Sequence, residues 1–522
     1  MPHHLVWIAL GLLAGASTAR AQAPCSIHLA GTVPDDPATH FFLPFEVPDG
    51  IVEIEVQHDD LSSANILDWG LDDPNGFRGW GGGNSEAAVV GIEAASRSYV
   101  PGLIPVGTWE VVVGKARIAE TPAPYDVCII LRTEATLPPQ PRAPYQDPGV
   151  LDTEARWYAG DFHVHSRQSG DAHPTIDETL QFAQSVGLDF MMLSEHNTNS
   201  GLTLYASVQP GFPKLLLLPG VEWTTYAGHA GAIGATQWVD HKTGVRGATA
   251  AGAIEQYHEQ GALFSINHPE VPGGNFCIGC PWEIPVDPTV IDGVEVKSGI
   301  WAAIDFYEQM CADGSHAAAL GGSDDHDGGQ GSGALYSPIG TPTTMVFANA
   351  LSVDAILEGV RSGRTAVKMN GIDDPMLETE LSGERVGDTV YADTATLSVT
   401  VTQGAGQTLQ IFKNGAVVET VAIASDPFTH ETVVQAPVEG EDRYRHQVTL
   451  GNTPQTVGSY VWLRAADGTG TPDAGLPDGG TDQGGGSSGC SCGLVTPSGY
   501  QTAVMLALLG FGAVYGRRRR AT

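Results

Sequence analysis

A chain of 522 residues is too long for one ordinary core, so roughly two to four domains are expected. Hydrophobic residues make up 42% and charged residues 16%, a globular composition that excludes a wholly disordered chain. Sixty acidic residues against 25 basic ones leave a net charge of −35, which repels phosphate backbones and anionic bilayers, so no nucleic-acid partner is expected.

In chain order, residues 1–21 read as a signal peptide. LVWIALGLLA at 5–14 is apolar but too short to span a bilayer, and Ala19-Arg20-Ala21 supplies an Ala-x-Ala cleavage pattern. No Lys or Arg precedes the apolar stretch, so its positive end rests on the amino terminus and His3/His4. Pro24 stands where a lipobox would need a small residue before Cys25.

Residues 22–140 are strand-like. IVEIEVQH (51–58), WEVVVGKA (109–116) and VCIILRT (127–133) carry apolar residues at alternate positions, separated by turns such as Pro48-Asp49-Gly50 and Pro74-Asn75-Gly76, a β-sandwich pattern. A proline-rich linker follows at 134–150. Over 151–372 the rhythm becomes strand, loop, helix. DFHVH, DFMMLSEH, LLLLPGVEW, ALFSINH, GVEVKS and LGGSDDH are apolar runs that end in polar residues. Thr175 and Glu178 form a capping box ahead of IDETLQFAQSV, with Gly187 as the stop, and further helices are predicted near 250–260 and 301–312. Strands alternating with helices predict an α/β domain with a parallel sheet closed into a barrel, its chemistry at the C-terminal strand ends.

From 373 to 466 strands return in a second, immunoglobulin-like sandwich, with Lys413-Asn414-Gly415 as a hairpin signal. Residues 467–489 are a Gly/Pro/Asp/Ser-rich linker. The segment 490–522 joins Cys490-Ser491-Cys492, an apolar stretch near 503–515 and Arg517 to Arg520. It resembles the C-terminal sorting signal of myxobacterial surface proteins, which implies an exported chain at the cell surface whose tail is in the membrane at least transiently. Seven cysteines in such a chain are expected to form disulfides, with Cys25 and Cys128 stapling the first domain. Cys277, Cys280 and Cys311 are too few for two bridges, and Cys277-x-x-Cys280 is not read as a zinc site because no second pair accompanies it.

Ten of the 17 histidines fall between 163 and 326. His163 and His165 are two apart on a predicted strand, so both rings share one face and can chelate zinc, manganese or iron. His196, Glu222, His229, His268, Asp324 and His326 stand at further strand ends. Buried imidazoles each need a partner, and a shared metal cluster satisfies them together. His241, His258 and His316 are read as outside the chemistry, with His258 on a solvent-facing helix. Trp223 is read as core or pocket rim. No Gly-x-Ser-x-Gly elbow is present.

The segments Gly160-Asp161-Phe162-His163-Val164-His165-Ser166, Ser194-Glu195-His196-Asn197-Thr198, Pro219-Gly220-Val221-Glu222, Gly228-His229, Asn267-His268-Pro269 and Gly322-Ser323-Asp324-Asp325-His326 resemble the PHP (polymerase and histidinol phosphatase) metallohydrolase superfamily in its CehA/McbA branch, which includes a carbaryl hydrolase. The resemblance implies a distorted (β/α)7 barrel flanked by the two sandwiches, binding two or three divalent ions. It assigns His163, His165, Glu222 and Asp324 to a first metal. Glu222 bridges to a second, completed by His229 and His268. His196 and His326 hold a third, with Asp171 preferred over His173. Glu195 departs from the aspartate that the family places there. Glu222, Asp324 and His326 are the implied catalytic residues. Arg167 and Lys297 are candidates for an anionic group of the substrate. The expected activity is hydrolysis of phosphoesters, or of carboxyl or carbamate esters, in small-molecule or extracellular substrates, by a metal-activated water. The competing expectation is a non-catalytic surface-binding protein on the same scaffold.

Overall fold

The structure, a computed structural model, describes residues 24–274 and 277–466, all within one of the two units into which the chain divides, Met1–Gly468. The predicted signal segment, the 467–489 linker and the 490–522 tail lie outside the described residues. Among those residues no helix is long and apolar enough to cross a membrane.

Two four-stranded antiparallel sheets form the N-terminal sandwich. One contains Ile27–Thr32, Pro124–Arg132, Glu53–Asp59 and Ala88–Gly91, and the other His40–Val47, Gly107–Arg117, Ile66–Asp73 and Gly76–Gly82. The alternation in WEVVVGKA puts Trp109, Val111 and Val113 into the core between the sheets. Val112 is buried as well, because the opposite face of this sheet is covered. Its neighbour Glu110 receives a bidentate contact from Arg246 at 2.7 and 2.8 Å, and Phe77 stacks on Trp238 at 4.4 Å. Cys25 and Cys128 are joined, tying the first strand to the last, where Ile27 lies opposite Ile129.

The central domain corrects one expectation: a closed, parallel seven-stranded barrel is not evident. The first strand, Arg156–Val164, is parallel to Phe190–Leu193 on one edge and antiparallel to Thr343–Ala348 on the other. The antiparallel neighbour occupies its edge from Arg156 to Gly160, and beyond that His163 O accepts from Asp324 N and His165 N donates to Asp325 O, just past Ala318–Gly322. Ala318–Gly322 pairs with Gly293–Ser298 in a separate six-stranded sheet with Gly220–Thr225, Gly228–Ile233, Leu263–Asn267 and Trp301–Ala302, in which three of the pairings are antiparallel. Two isolated bridges stitch this sheet to the other, Val164 to Asp325 and His196 to Glu222.

Three of the central helices start at a side-chain cap, from Thr175, Thr249 and Ser352. Ile176–Ser185 begins at the Thr175/Glu178 capping box and buries Ile176, Thr179, Leu180 and Ala183, the i, i+3, i+4, i+7 stripe of a core-facing helix. Ala250–Glu259 and Ile304–Ala312 match the predicted positions. Val353–Arg361 was not anticipated, although Ser352 caps it through Ala355 N–H and Val353, Ile356, Leu357 and Val360 repeat the stripe. In the C-terminal region Asn414 and Gly415 both have positive φ (50° and 84°), as a two-residue I′ hairpin turn requires. One sheet of that region runs on from the central domain, because Thr365–Lys368 pairs with Thr453–Gly458. The boundary at 372/373 is therefore crossed by a continuous eleven-stranded sheet.

Candidate metal centre

All nine residues proposed as ligands converge at the strand ends where the two central sheets meet. Glu222 is fully buried at the middle of them. Its Oε1 lies 3.2 Å from His163 Nε2, 3.0 Å from His268 Nε2 and 3.5 Å from His229 Nδ1, while Oε2 lies 2.7 Å from His196 Nδ1 and 3.8 Å from His165 Nε2. Asp324 Oδ1 sits 3.2 Å from His163 Nε2 and 3.3 Å from His165 Nε2. Asp171 Oδ2 is 3.2 Å from His196 Nε2 and 3.5 Å from His326 Nε2. His173 stands aside from this group with an exposed side chain, and what it offers is its backbone N–H, donated to His326 O.

The rings are aimed by their second nitrogens. His326 Nδ1 donates to the Asp324 carbonyl at 2.9 Å, and a carbonyl accepts only, so the neutral ring turns a lone pair at Nε2 toward His196 and Asp171. His163 Nδ1 faces Glu295 Oε1 at 2.9 Å, which leaves Nε2 for the cluster, 3.1 Å from His165 Nε2. His229 gives its Nε2–H to Ile278 O, so its Nδ1 faces Glu222; that Nδ1 is buried and has no hydrogen-bond partner. Nitrogen lone pairs and carboxylate oxygens converging this closely repel one another unless a cation lies among them, so the donor set fits a divalent ion. Three overlapping groups can hold one: His163, His165 and Asp324; His163, Glu222 and His268; and His165, His196 and His326. Imidazole nitrogens with carboxylate oxygens suit zinc, manganese or iron.

The electrostatics follow from this packing. Burial works to raise the Glu222 carboxyl, but His163, His196 and His229 outweigh it and hold it well below the usual range. His165 is pushed down to about 3 by burial, with His326 and His196 adding repulsion. Burial lowers His326, yet Asp171 and Asp324 carry it up to about 9. Burial drives Glu195 up to about 8 against its hydrogen bonds from Ser166, whose Oγ lies 2.5 Å away. Glu195 accepts from Ser166 through both oxygens and so braces the loop after His165. It contributes no ligand atom to the three groups.

Backbone strain marks the same place. His268 and Asp324 have φ of 30° and 56°, and Asn197, next to His196, has 51°. Non-glycine residues pay of order 1–3 kcal/mol for such conformations, and here the strand ends are locked by hydrogen bonds on both sides. Asp161 is one lock: its buried carboxyl accepts from His163 N, Ser323 N and Gly340 N at 2.8–3.1 Å. Glu295 is another, since Oε2 accepts from His268 N at 2.8 Å while Oε1 holds His163.

Sequence reasoning missed Glu295, which lies inside the strand GVEVKS and not at its end. It also missed the N-terminal sandwich as a wall of the site. Ser98 Oγ donates to Gln168 O at 2.7 Å, Ser98 O accepts from Thr198, and Arg97 donates to Ala172 O at 3.0 Å, so residues 97–98 brace both loops beside Asp171 and His196. Asp68, from the same sandwich, receives the Tyr226 hydroxyl at 2.7 Å, and burial carries its carboxyl up to about 6. Of the remaining candidates, Arg167 is exposed, and Lys297 donates to the Met369 carbonyl. His258 is not free on its helix face but pairs with Asp292 at 2.8 Å. His316 stacks on Trp462, His241 is buried away from the cluster, and Trp223 belongs to the core.

No protein-family model matches the chain, and no curated protein sequence does. Among solved structures it is similar to a two-domain protein from Bacteroides vulgatus containing a predicted PHP-like metal-dependent phosphoesterase. That likeness has 20% identity over 62% of this chain and 98% of the other, with a TM-score of 0.34. A second similarity is to a protein from Bifidobacterium adolescentis described as a candidate metal-dependent phosphoesterase, at 15% identity over 34% and 92% of the two chains, with a TM-score of 0.26.

Proposed function

We propose that this protein is an exported metal-dependent hydrolase that cleaves phosphoesters or related carboxyl or carbamate esters at a centre of two or three divalent ions. The observation that carries the reading is the position of Glu222, whose two oxygens face two different sets of histidines. A structural metal site is usually a closed four-ligand cage, whereas a carboxylate shared between neighbouring groups leaves coordination positions open.

His163, His165, Glu222 and Asp324 would hold one ion, Glu222, His229 and His268 a second, and Asp171, His196 and His326 a third. When bound, the ions supply an acidified water and polarise the scissile P=O or C=O group. The chain's own residues do the rest. His163, His165 and Glu222 are buried and fix one side of the centre, while Asp324, Asp171 and His326 have side chains 36%, 55% and 29% exposed and form the rim that a substrate meets. His326 stands at that rim with its Nδ1–H held by the Asp324 carbonyl and its Nε2 turned toward Asp171 and His196, where it would orient an ion and the water on it. Export is proposed from the leader and tail read in the sequence, and two disulfides in the described residues support an oxidising compartment.

The test is metal content per chain of the full-length protein purified without chelator, followed by phosphomonoester, phosphodiester and aryl-ester chromogenic substrates with zinc, manganese or iron. Two or three ions with chelator-sensitive turnover support the reading. One ion or fewer, with no turnover, sinks it and leaves the surface-binding alternative.

A further inference from the structure

Cys277-x-x-Cys280 lacks a second cysteine pair in the sequence, but the fold supplies a pair of histidines. Ligand atoms of His229, His268, Cys277 and Cys280 all lie within 4.8 Å of one another. A tetrahedral zinc site with these donors has ligand-to-ligand edges of about 3.3–3.8 Å, so a closing movement of about 1 Å in a loop is all it requires. We propose that Cys277 and Cys280, as thiolates, complete with His229 and His268 a four-ligand N2S2 site of zinc type that forms only when the disulfide between them is reduced.

Both rings are two-faced. His268 turns Nε2 to Glu222 at 3.0 Å and Nδ1 to Cys280 Sγ at 3.3 Å. His229 turns Nδ1 toward Glu222 at 3.5 Å, while Nε2 donates to the carbonyl of Ile278, which sits between the two cysteines in the chain. The inner nitrogens serve the Glu222 cluster and the outer ones face the cysteine loop. Gly279, with φ of 97°, lets that loop approach: a Cβ there would meet His229 Nε2 at 2.9 Å and the Thr225 carbonyl closer still.

The chemistry balances as follows. In the structure the two sulfurs are bonded to each other. A small dithiol reductant breaks that bond, gives up two electrons and two protons, and leaves as its own disulfide, so that Cys277 and Cys280 become thiols. Zinc then displaces one proton from each thiol. For His229 to present Nε2 to the same ion, its proton moves to Nδ1, where Glu222 accepts it. A neutral ring has one lone pair, so an ion on the outer nitrogens takes His229 and His268 away from the Glu222 cluster. The two positions are therefore alternatives, selected by the redox state of the loop. The donor set of the outer site stands whether or not the centre is a hydrolase.

The experiment is site-resolved alkylation of full-length protein, reduced with a dithiol, with and without added zinc. Cysteine-containing peptides are then quantified by mass spectrometry. The expected result is that zinc slows modification of Cys277 and Cys280 about tenfold or more, and that H268A abolishes this protection. Unchanged rates with zinc overturn the proposal, and so does protection that survives H268A, which would mean a site without the histidine. In case H268A does not fold, Cys277→Ser/Cys280→Ser offers a second measurement, the thiolate-to-metal charge-transfer absorption of cobalt-loaded protein in the reduced and oxidised states. Absorption in the reduced parent that the variant and the oxidised parent both lack supports the N2S2 site, and its absence from the reduced parent, or its survival in the variant, overturns it. Neither readout uses ester turnover, so failure here and failure of the hydrolase reading are separable.

Discussion

His196 and Glu222 face each other across the seam between the two central sheets, as the partners of an isolated parallel bridge. Glu222 N–H donates to Glu195 O at 3.1 Å, Asn197 N–H donates to Glu222 O at 2.9 Å, and the His196 ring reaches the Glu222 carboxylate at 2.7 Å. The other seam bridge joins Val164 to Asp325, between His163 and His165 on one side and Asp324 and His326 on the other. The ligands are therefore not decorations on a closed sheet. They occupy the places where two separate sheets come into register, and a cation there would tie the sheets together.

Glu222→Gln tests that relationship directly. The amide keeps the shape but removes the charge that balances His163, His196 and His268. The expected outcome is loss of at least one metal ion per chain, with turnover of the best ester substrate down by about a hundredfold or more. Metal analysis beside steady-state kinetics checks it. Full metal content in the variant would remove Glu222 from the bridging position.

Glu295→Gln tests a positioning residue. Glu295 contributes to none of the candidate ligand groups, yet it holds His163 through Nδ1 and His268 through its backbone N–H. Replacing such a partner typically costs about 10–100-fold in metal affinity. Competition with a chromogenic chelator measures this, and restoring activity by raising metal concentration distinguishes positioning from catalysis.

What could be read in advance follows from local physics. His163 and His165 were legible because strand periodicity puts both on one face, and the helix at 176–185 because its capping box is complete. Glu295 was not, because a carboxylate inside an apolar strand looks the same from sequence whether it braces a histidine or meets solvent. The antiparallel partner of the first central strand was equally hidden. Thr343–Ala348 carries no mark of which edge it takes, and its antiparallel place beside Arg156–Gly160 is settled only by tertiary packing. Cys277 and Cys280 were discounted for want of a second cysteine pair, since the loop's approach to His229 and His268 is a tertiary fact.

Gly322→Ala should damage the site through backbone packing alone. A Cβ at Gly322 would overlap His163 Cβ and come within 2.5 Å of Glu295 Oε1. Both neighbours are fully or nearly fully buried, so neither can swing away. Overpacking of this kind costs about 1–3 kcal/mol. The expected outcome is a lower unfolding midpoint in urea together with weakened metal binding. An unchanged affinity would show that His163 is held less rigidly than these contacts imply.

Acid sensitivity is expected from a histidine far from the centre. His446 is 1% exposed, its Nδ1 lies 2.9 Å from Thr379 Oγ1, and burial, assisted by His430 and Arg445, depresses it to about 3. The folded ring stays neutral while an unfolded one, with an ordinary value of 6.5, takes up a proton. Its contribution to stability is therefore fully present above pH 6.5 and is lost as pH falls from there toward about 3, with a limiting slope of about 1.4 kcal/mol per pH unit. His446→Gln removes the titrating group and keeps polar reach toward Thr379. Urea unfolding of chelated protein between pH 7 and pH 4.5 (approximate limits set by the same linkage) should show the variant less stable than the parent at the upper end. The gap should narrow steadily as pH falls. Parallel curves would mean that His446 is protonated in the fold despite its burial.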